Sequence, residues 1–211
     1  MNITIIDLGI NNLLSIKKVF QSALGSRDSL SITESFDTNF QKSDLVVIPG
    51  VGNFGVAIEK LHKNGLYQEI RIAAQNRKIV GICLGMQMLF DSSEESAGVQ
   101  GLGLIPGAIK KINRNISSRV PHVGWNSLEK IDANINFLSL SQEKDFYFVH
   151  SFHAIPSEKS HILTETRIED GSVVSSVIKE NILGFQFHPE KSGSAGKILI
   201  HEVVKWAKDE N

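Results

Sequence analysis

This sequence has almost no cysteine and no long apolar run. A single cysteine among 211 residues excludes an internal disulfide and a cysteine-rich metal site. No apolar stretch approaches the roughly 18–20 residues of a membrane span. The first residues, MNITIIDLG, lack the basic and apolar regions of a secretion signal. We therefore expect a cytoplasmic protein that folds without disulfides or metal.

An excess of either charge is also missing. Lysine and arginine together number 22 and aspartate and glutamate 23, so the formal net charge is −1. This balance argues against a protein whose main task is to bind a nucleic-acid backbone. Hydrophobic residues make up 41% of the chain and charged residues 21%, as is ordinary for globular proteins. The length predicts one domain over residues 1–211.

Apolar runs and helical patterns alternate in the first 90 residues. Strands are predicted at residues 3–7, 44–48 and 78–82, and helices at residues 12–24, 54–61, 66–74 and 84–90. This alternation favours an α/β fold with a central, mostly parallel sheet flanked by helices.

The second half of the chain has a different pattern, with short strands separated by turn signals. Strands are predicted at residues 108–112, 146–150, 173–178 and 182–187, which we interpret as an added antiparallel section. An amphipathic helix over residues 195–207 ends the pattern, with Ile198, Leu199, Val203 and Trp206 facing inward.

The only cysteine lies in the segment GICLGMQ, residues 81–87, between a predicted strand and a predicted helix. A tight turn there places Cys83 in an unfavourable backbone conformation, and Gly81 and Gly85 remove the collisions that side chains would cause. The start of the helix favours a thiolate, and the N–H of Leu84 can face a developing oxyanion. The alternative is a buried structural cysteine.

A cysteine nucleophile needs a base, and the segment GFQFHPE offers the best of the seven histidines. His188 follows a predicted strand, and Glu190 lies two residues further on, so both side chains can point the same way. A carboxylate in that position can hold the imidazole in one tautomer while the other nitrogen faces the thiol. Taken alone, this tripeptide would be an ordinary turn.

A third segment, PGVGNF, follows a buried strand and opens a helix. Gly50 and Gly52 flank Val51, so the backbone can pass close to a bound group with free N–H donors. We interpret it as the second wall of an oxyanion site, the alternative being a plain capping loop.

Together these segments resemble the triad-type, class I glutamine amidotransferases. More narrowly they resemble the glutaminase subunits of imidazole glycerol phosphate synthase, through IDLGINNLL, PGVGNF, PHVGWN, FVHSF and GFQFHPEKS in that order. The resemblance extends from residue 3 to about residue 205. One departure is Val123, where that family often has methionine.

The resemblance implies the class I glutamine amidotransferase fold and a set of site residues. Cys83 matches the nucleophile, His188 the acid/base and Glu190 the orienting carboxylate. Other positions match the glutamine-binding residues, with Glu95 on the α-amino group: Gln87, Glu95, Ser151 and Phe152. A solvated acidic residue is the alternative for Glu95, and a helix-surface residue for Gln87.

The resemblance also implies an activity and a partner. Glutamine would be hydrolysed to glutamate and ammonia through a cysteine thioester, with no cofactor and no metal. The ammonia would pass to a (β/α)₈ barrel cyclase that makes imidazole glycerol phosphate and an aminoimidazole carboxamide ribotide in histidine biosynthesis. The two chains would form a heterodimer, and a peptide flip in residues 49–52 would complete the oxyanion hole. The expected docking residues are Asn11, Asn12, Trp125, Asn126 and Lys191.

Several alternatives stay open at this point. A paralogous glutaminase could supply another synthase, for example one that amidates surface-polysaccharide sugars. A cysteine peptidase of related architecture and an inactive scaffold are further possibilities, and Trp125 could be a core residue. His150 and His153 have a spacing that a metal site could use, although suitable additional ligands are missing.

Overall fold

A computed structural model describes residues 1–9, 13–113, 115–130 and 145–209. The strands are β1 (Asn2–Ile6), β2 (Ser29–Thr33), β3 (Leu45–Gly50), β4 (Lys78–Cys83), β5 (Ser92–Ser93), β6 (Gly107–Lys111), β7 (His122–Ser127), β8 (Glu129–Lys130), β9 (Asp145–His150), β10 (Phe152–Pro156), β11 (Ile162–Ile168), β12 (Gly171–Lys179) and β13 (Ile182–Phe185). The helices are α1 (Leu13–Gln21), α2 (Thr38–Gln41), α3 (Phe54–Lys63), α4 (Leu66–Ala73), α5 (Leu84–Met88) and α6 (Gly193–Lys208).

The main sheet has eight strands in the order β2-β1-β3-β4-β13-β12-β11-β8. The five strands from β2 to β13 pair in parallel, and the remaining pairs are antiparallel. Two smaller units complete the fold: a three-stranded sheet, β10-β6-β5, in which β10 and β6 are antiparallel and β6 and β5 parallel, and an antiparallel ribbon of β7 and β9. The expected fold, a mostly parallel sheet with an antiparallel addition, is confirmed.

Successive side chains of the parallel strands point to opposite faces of the sheet, so the hydrophobic core has one part on each face. On β3, Leu45 and Val47 pack with buried residues of α1 and α6, whereas Val46 and Ile48 pack with those of α3 and α4. All four side chains are fully buried, and each contributes about 1.5–3 kcal/mol relative to exposure. Parallel strands covered on both faces read as continuous apolar runs for this reason.

One prediction about strand pairing is wrong in an informative way. The sequence predicts that the strand at residues 182–187 belongs to the antiparallel section, but β13 pairs in parallel with β4 and in antiparallel with β12. Apolar periodicity gives a strand's two faces and not its neighbours. Because β13 lies beside β4, the chain that follows it reaches the carboxyl end of β4, where Cys83 stands.

The helix predicted at residues 195–207 is present as α6, with one residue misplaced. Leu199 and Val203 are buried and Trp206 packs partly against the core, as expected, but Ile198 is 40% exposed. Within the described ranges, no helix combines the length and apolarity needed to cross a membrane.

Candidate active site

Cys83 stands at the junction of β4 and α5 with a left-handed φ of 55° and ψ of −110°. A non-glycine residue in such a conformation costs about 1–3 kcal/mol and persists only where its surroundings enforce it. The helix that follows is shorter than predicted and has five residues, Leu84–Met88. The strain presents the sulfur at the carboxyl edge of the parallel sheet.

The two glycines around Cys83 are sterically required. A Cβ on Gly85 would lie 1.6 Å from the carbonyl oxygen of Ile48, and a Cβ on Gly81 would lie 2.6 Å from the carbonyl oxygen of Gly85. Gly50, at the end of β3, would bring a Cβ to 3.0 Å from Leu84 Cβ. The turn therefore packs backbone against backbone, as the sequence predicts.

His188 and Glu190 form a buried pair. His188 Nδ1 lies 2.7 Å from Glu190 Oε1, and both side chains are 3% exposed. Because a carboxylate only accepts hydrogen bonds, Nδ1 carries a proton. The carboxylate is thereby positioned to fix the ring orientation, which is the contact expected of an orienting group.

The second ring nitrogen of His188 is turned toward the cysteine. Burial alone would lower the pKa of His188, but hydrogen bonding toward Cys83 and to Glu190 outweighs it and raises that pKa to about 10. Nε2 is buried and makes no hydrogen bond of ordinary distance and angle with a described residue. The hydrogen bond between thiol and imidazole therefore lacks ordinary geometry here, and such contacts often tighten when substrate binds.

Ser192 fixes the turn that carries the pair. Its buried hydroxyl donates to the His188 carbonyl at 2.6 Å and accepts from the backbone N–H of Tyr147 at 3.0 Å. The backbone N–H of His188 donates to the Tyr147 carbonyl at 2.9 Å. Strand β9 therefore holds His188 through both main-chain groups of Tyr147: directly at the His188 N–H, and through the Ser192 hydroxyl at the His188 carbonyl.

A cavity of about 420 Å³ brings most of the predicted residues together with Cys83. Its lining includes two residues of the glycine loop, the residue after the cysteine and all four predicted glutamine-binding residues: Val51, Gly52, Leu84, Gln87, Glu95, Ser151 and Phe152. The volume lies in the range of small-molecule sites. A larger open groove of about 970 Å³ at the amino ends of the strands is lined by none of the predicted site residues.

Gln87 and Glu95 both make protein contacts in addition to lining the cavity. Gln87 Nε2 donates to the Phe152 carbonyl and to Gln186 Oε1, at 3.1 Å each. Glu95 Oε2 accepts from the backbone N–H of Phe54 at 2.6 Å, at the start of α3. Gln87 is 6% exposed, which contradicts the helix-surface alternative, and Glu95 is partly buried rather than fully solvated.

A smaller cavity of about 130 Å³ lies on the histidine side of the site. Gly50, His188, Glu190 and Lys191 line it, and Val51 lines both cavities. Gly52 has a φ of 101° and no atom within 4 Å of a built Cβ, so its need for glycine is conformational. The glycine loop thus separates the two spaces.

The predicted docking residues that are described lie on the ribbon and beside the histidine turn. Trp125 is 54% exposed and Val123 55% exposed, so Trp125 is not a core residue. The Tyr147 and Trp125 rings meet edge to face with their centres 5.8 Å apart, and Lys191 Nζ lies 5.5 Å from the Tyr147 ring centre. Asn126 is half-buried and Lys191 exposed. Asn11 and Asn12 lie outside the described residues.

Sequence reasoning missed four residues that the structure places around the site: His122, Tyr147, Gln186 and Ser192. The sequence does mark Gln186, because it is a polar residue between Phe185 and Phe187 in an apolar run.

His150 contacts His122 and the Phe152 carbonyl rather than a cluster of metal-binding side chains. The described residues contain no group of three or more side chains that could hold a metal ion.

The two buried histidines predict a maximum of folding stability near pH 6.5. The pKa of His188 is about 10 in the folded chain, against an ordinary histidine value of 6.5. The stability that it contributes is therefore complete below pH 6.5 and is lost as the pH rises to 10. Burial lowers the pKa of His150 to about 3, so its contribution is complete above 6.5 and is lost as pH falls to 3. Each group gives a slope of about 1.4 kcal/mol per pH unit.

Urea-unfolding free energies measured between about pH 4 and pH 9 test this prediction. The variant His188→Asn should flatten the alkaline side and leave the acidic side in place. A native profile that is flat, or that keeps rising above pH 7, would contradict the assignment.

The chain matches known proteins over almost its whole length. The family model described as glutamine amidotransferase class-I matches residues 5–206. Imidazole glycerol phosphate synthase subunit HisH of Pyrococcus furiosus is 43% identical, covering 94% of this chain and 95% of the relative. The subunit HisH of Thermotoga maritima is 38% identical, with 97% of both chains covered.

A longer relative and the solved structures agree with this match. Imidazole glycerol phosphate synthase hisHF of Arabidopsis thaliana is 36% identical over 96% of this chain, which spans 34% of that relative. The structure of PurLQS from Thermotoga maritima has the same fold, with a TM-score of 0.71, 17% identity and 98% of both chains covered. The chain therefore belongs to the class I glutamine amidotransferases, in the family of imidazole glycerol phosphate synthase HisH subunits.

Proposed function

We propose that this chain is the glutaminase subunit of an imidazole glycerol phosphate synthase, working in histidine biosynthesis. The observation that carries the proposal is the 420 Å³ cavity, in which Cys83 faces the glycine loop and the four residues expected to bind glutamine. The HisH names of the relatives support the pathway. A biosynthetic role of this kind also supports the cytoplasmic location expected from the sequence.

In the first half of the reaction, Cys83 Sγ attacks the side-chain amide carbon of glutamine. The electron pair of the carbonyl moves to its oxygen, which accepts hydrogen bonds from the N–H of Leu84 and from one peptide of residues 50–52. Each such donor accelerates the step by about 10²–10³-fold. His188, protonated at neutral pH by its raised pKa, gives its proton to the amide nitrogen, and the carbon–nitrogen bond breaks to release ammonia.

In the second half, water hydrolyses the γ-glutamyl thioester. His188, now neutral at Nε2, takes a proton from the water as its oxygen attacks the thioester carbon. The carbon–sulfur bond breaks, glutamate leaves, and the thiolate–imidazolium pair is restored. Glu190 keeps the ring in place throughout, because its hydrogen bond to Nδ1 exists in both states of the histidine.

The ammonia requires a neighbouring acceptor, since bulk water would protonate it and remove its nucleophilicity. A (β/α)₈ barrel cyclase docked over Trp125, Asn126 and Lys191, together with Asn11 and Asn12, would receive it in a heterodimer. The exposure of Trp125 supports this surface, because tryptophan is enriched among the residues that dominate interface energies. The length of the hisHF relative leaves room for a second unit in that protein.

Glutamate release from glutamine tests the proposal, measured for the purified chain alone and with the cyclase subunit and a nucleotide ligand of the same organism. We expect strong stimulation by the partner. Trp125→Ala should weaken the complex about 30-fold or more, while Ile72→Ala, which alters another exposed apolar residue, should not. Activity without stimulation would point to another ammonia acceptor, and no activity in any mixture would refute the proposal.

A further inference from the structure

A continuous chain of hydrogen bonds connects the ribbon with the sulfur of the cysteine. We call it the polar chain. Its members, in spatial order, are Asn126, His122, His150, the Phe152 carbonyl, Gln87, Gln186 and Cys83. Every side chain in it except Asn126 is buried. The proposed reaction uses Cys83, and glutamine binding is assigned to Gln87 and Phe152, so the remaining side chains need a physical account.

The Phe152 carbonyl fixes the direction of the bonds on the cysteine side. A carbonyl can only accept, so the atom of Gln87 at 3.1 Å from it is the amide nitrogen. That same nitrogen lies 3.1 Å from Gln186, whose facing atom is therefore its oxygen. The amide nitrogen of Gln186 is left to face Cys83 Sγ, at 3.9 Å. Gln186 thus donates to the sulfur.

The same carbonyl fixes the histidine side. His150 Nδ1 lies 2.8 Å from the Phe152 oxygen and must carry the proton. Burial lowers the pKa of His150 to about 3, so the ring is neutral and its Nε2 accepts from His122 Nδ1 at 2.9 Å. His122 Nε2 in turn accepts from the Asn126 amide at 2.6 Å. Every hydrogen bond of the polar chain therefore joins one donor to one acceptor.

Gln186 itself lies in surroundings that would favour an apolar side chain. It has no exposed surface, and its neighbours in sequence, Phe185 and Phe187, are both fully buried in the hydrophobic core. A buried amide costs free energy unless its polar atoms are paired. Here the oxygen is paired with Gln87 and the nitrogen with the sulfur, and Gln186 does not line the 420 Å³ cavity. Its amide therefore serves the cysteine and not the substrate.

We propose that Gln186 is a positioning residue that donates its amide N–H to Cys83 Sγ, and that Gln87 holds it there through the Phe152 carbonyl. A hydrogen bond to a charged acceptor is stronger than one to a neutral acceptor. The bond therefore favours the thiolate and fixes the direction of the sulfur at the mouth of the cavity. This inference deepens the proposed function and rests on Cys83 being its nucleophile.

Alkylation of the cysteine tests the inference without any substrate turnover. Cys83 is the only cysteine of the chain, so iodoacetamide uptake at pH 7 reports its reactivity alone. In the full-length variant Gln186→Met the rate should fall about three- to tenfold, because the sulfur loses the hydrogen bond that directs it toward the mouth of the cavity. General loosening of the core would raise the rate instead.

Steady-state kinetics supply the second readout. Gln186→Met should lower kcat for glutamine about tenfold or more and leave KM within about twofold, because the residue touches sulfur and not substrate. The exposed Gln75 offers the matched control, and Gln75→Met should change neither quantity. If Gln186→Met does not fold, Gln87→Met carries the test, with a smaller fall in the alkylation rate.

A folded Gln186→Met chain that is alkylated at the native rate or faster would overturn the inference, even if glutaminase activity is present. A native chain without glutaminase activity in any mixture with the cyclase subunit and its ligand would overturn the proposed function, whereas the alkylation contrast would still show that Gln186 acts on the sulfur. The two failures are therefore distinguishable.

Discussion

Replacement of Cys83 by alanine should lower kcat/KM for glutamate release by about 10⁴-fold or more. Removal of a nucleophile costs most of the catalytic power of a group of residues that act as a unit, and what remains comes from binding and oxyanion stabilisation. The fold should be retained, because alanine keeps the Cβ that already stands at a φ of 55°. The assay is glutamate release in the presence of the partner, with circular dichroism to verify folding.

Two results would bear directly on this prediction. Cys83→Ser keeps the shape of the site with a weaker nucleophile and should also lose nearly all activity. Undiminished turnover by a pure Cys83→Ala preparation would show that another group attacks glutamine and would remove Cys83 from the mechanism.

Gly85→Ala should lower the free energy of unfolding by at least about 3 kcal/mol. Its new Cβ would lie 1.6 Å from the Ile48 carbonyl oxygen, and neither backbone can move without separating α5 from β3. A clash with backbone is costly because no side-chain rotation relieves it. Urea denaturation of the purified variant measures the loss, and poor expression of folded protein would agree with it.

Gly25→Ala is the matched control for the steric argument. Its built Cβ would meet only the Asp28 carboxylate, at an ordinary 3.4 Å, so the unfolding free energy should change by less than about 1 kcal/mol. A Gly85→Ala chain as stable as this control would show that the elbow has room to relax and that the glycine there is not required.

The sequence predicts the parallel part of the fold well because its strands are buried on both faces. The predicted strands at residues 44–48 and 78–82 correspond to β3 and β4, with ends shifted by one or two residues. The glycine spacing around Cys83 predicts the elbow for a physical reason, since only a residue without Cβ fits against the neighbouring backbone. The triad and oxyanion roles are argued from the residues and the glutamine-binding and docking roles from the resemblance, and all of them remain predictions.

Other features could not be predicted because they depend on pairing across the chain. Strand β2 is an exception, because SLSIT alternates polar and apolar residues as a half-buried edge strand does, and the prediction missed it. The position of β13 beside β4 follows from topology rather than composition. Gln186, His122 and His150 become meaningful only once three separate segments are brought together around the Phe152 carbonyl.

Tyr147 has two separate uses, and this separation has an evolutionary consequence. Its ring contacts Trp125 and Lys191 on the outer side and lies 6.5 Å from the His188 ring, centre to centre, while its backbone N–H and carbonyl hold Ser192 and His188 on the inner side. Backbone contacts survive a change of side chain. Mutations at this position can therefore alter the outer surface while the backbone contacts to the histidine remain, so divergence between lineages here is limited mainly by the ring contact with His188.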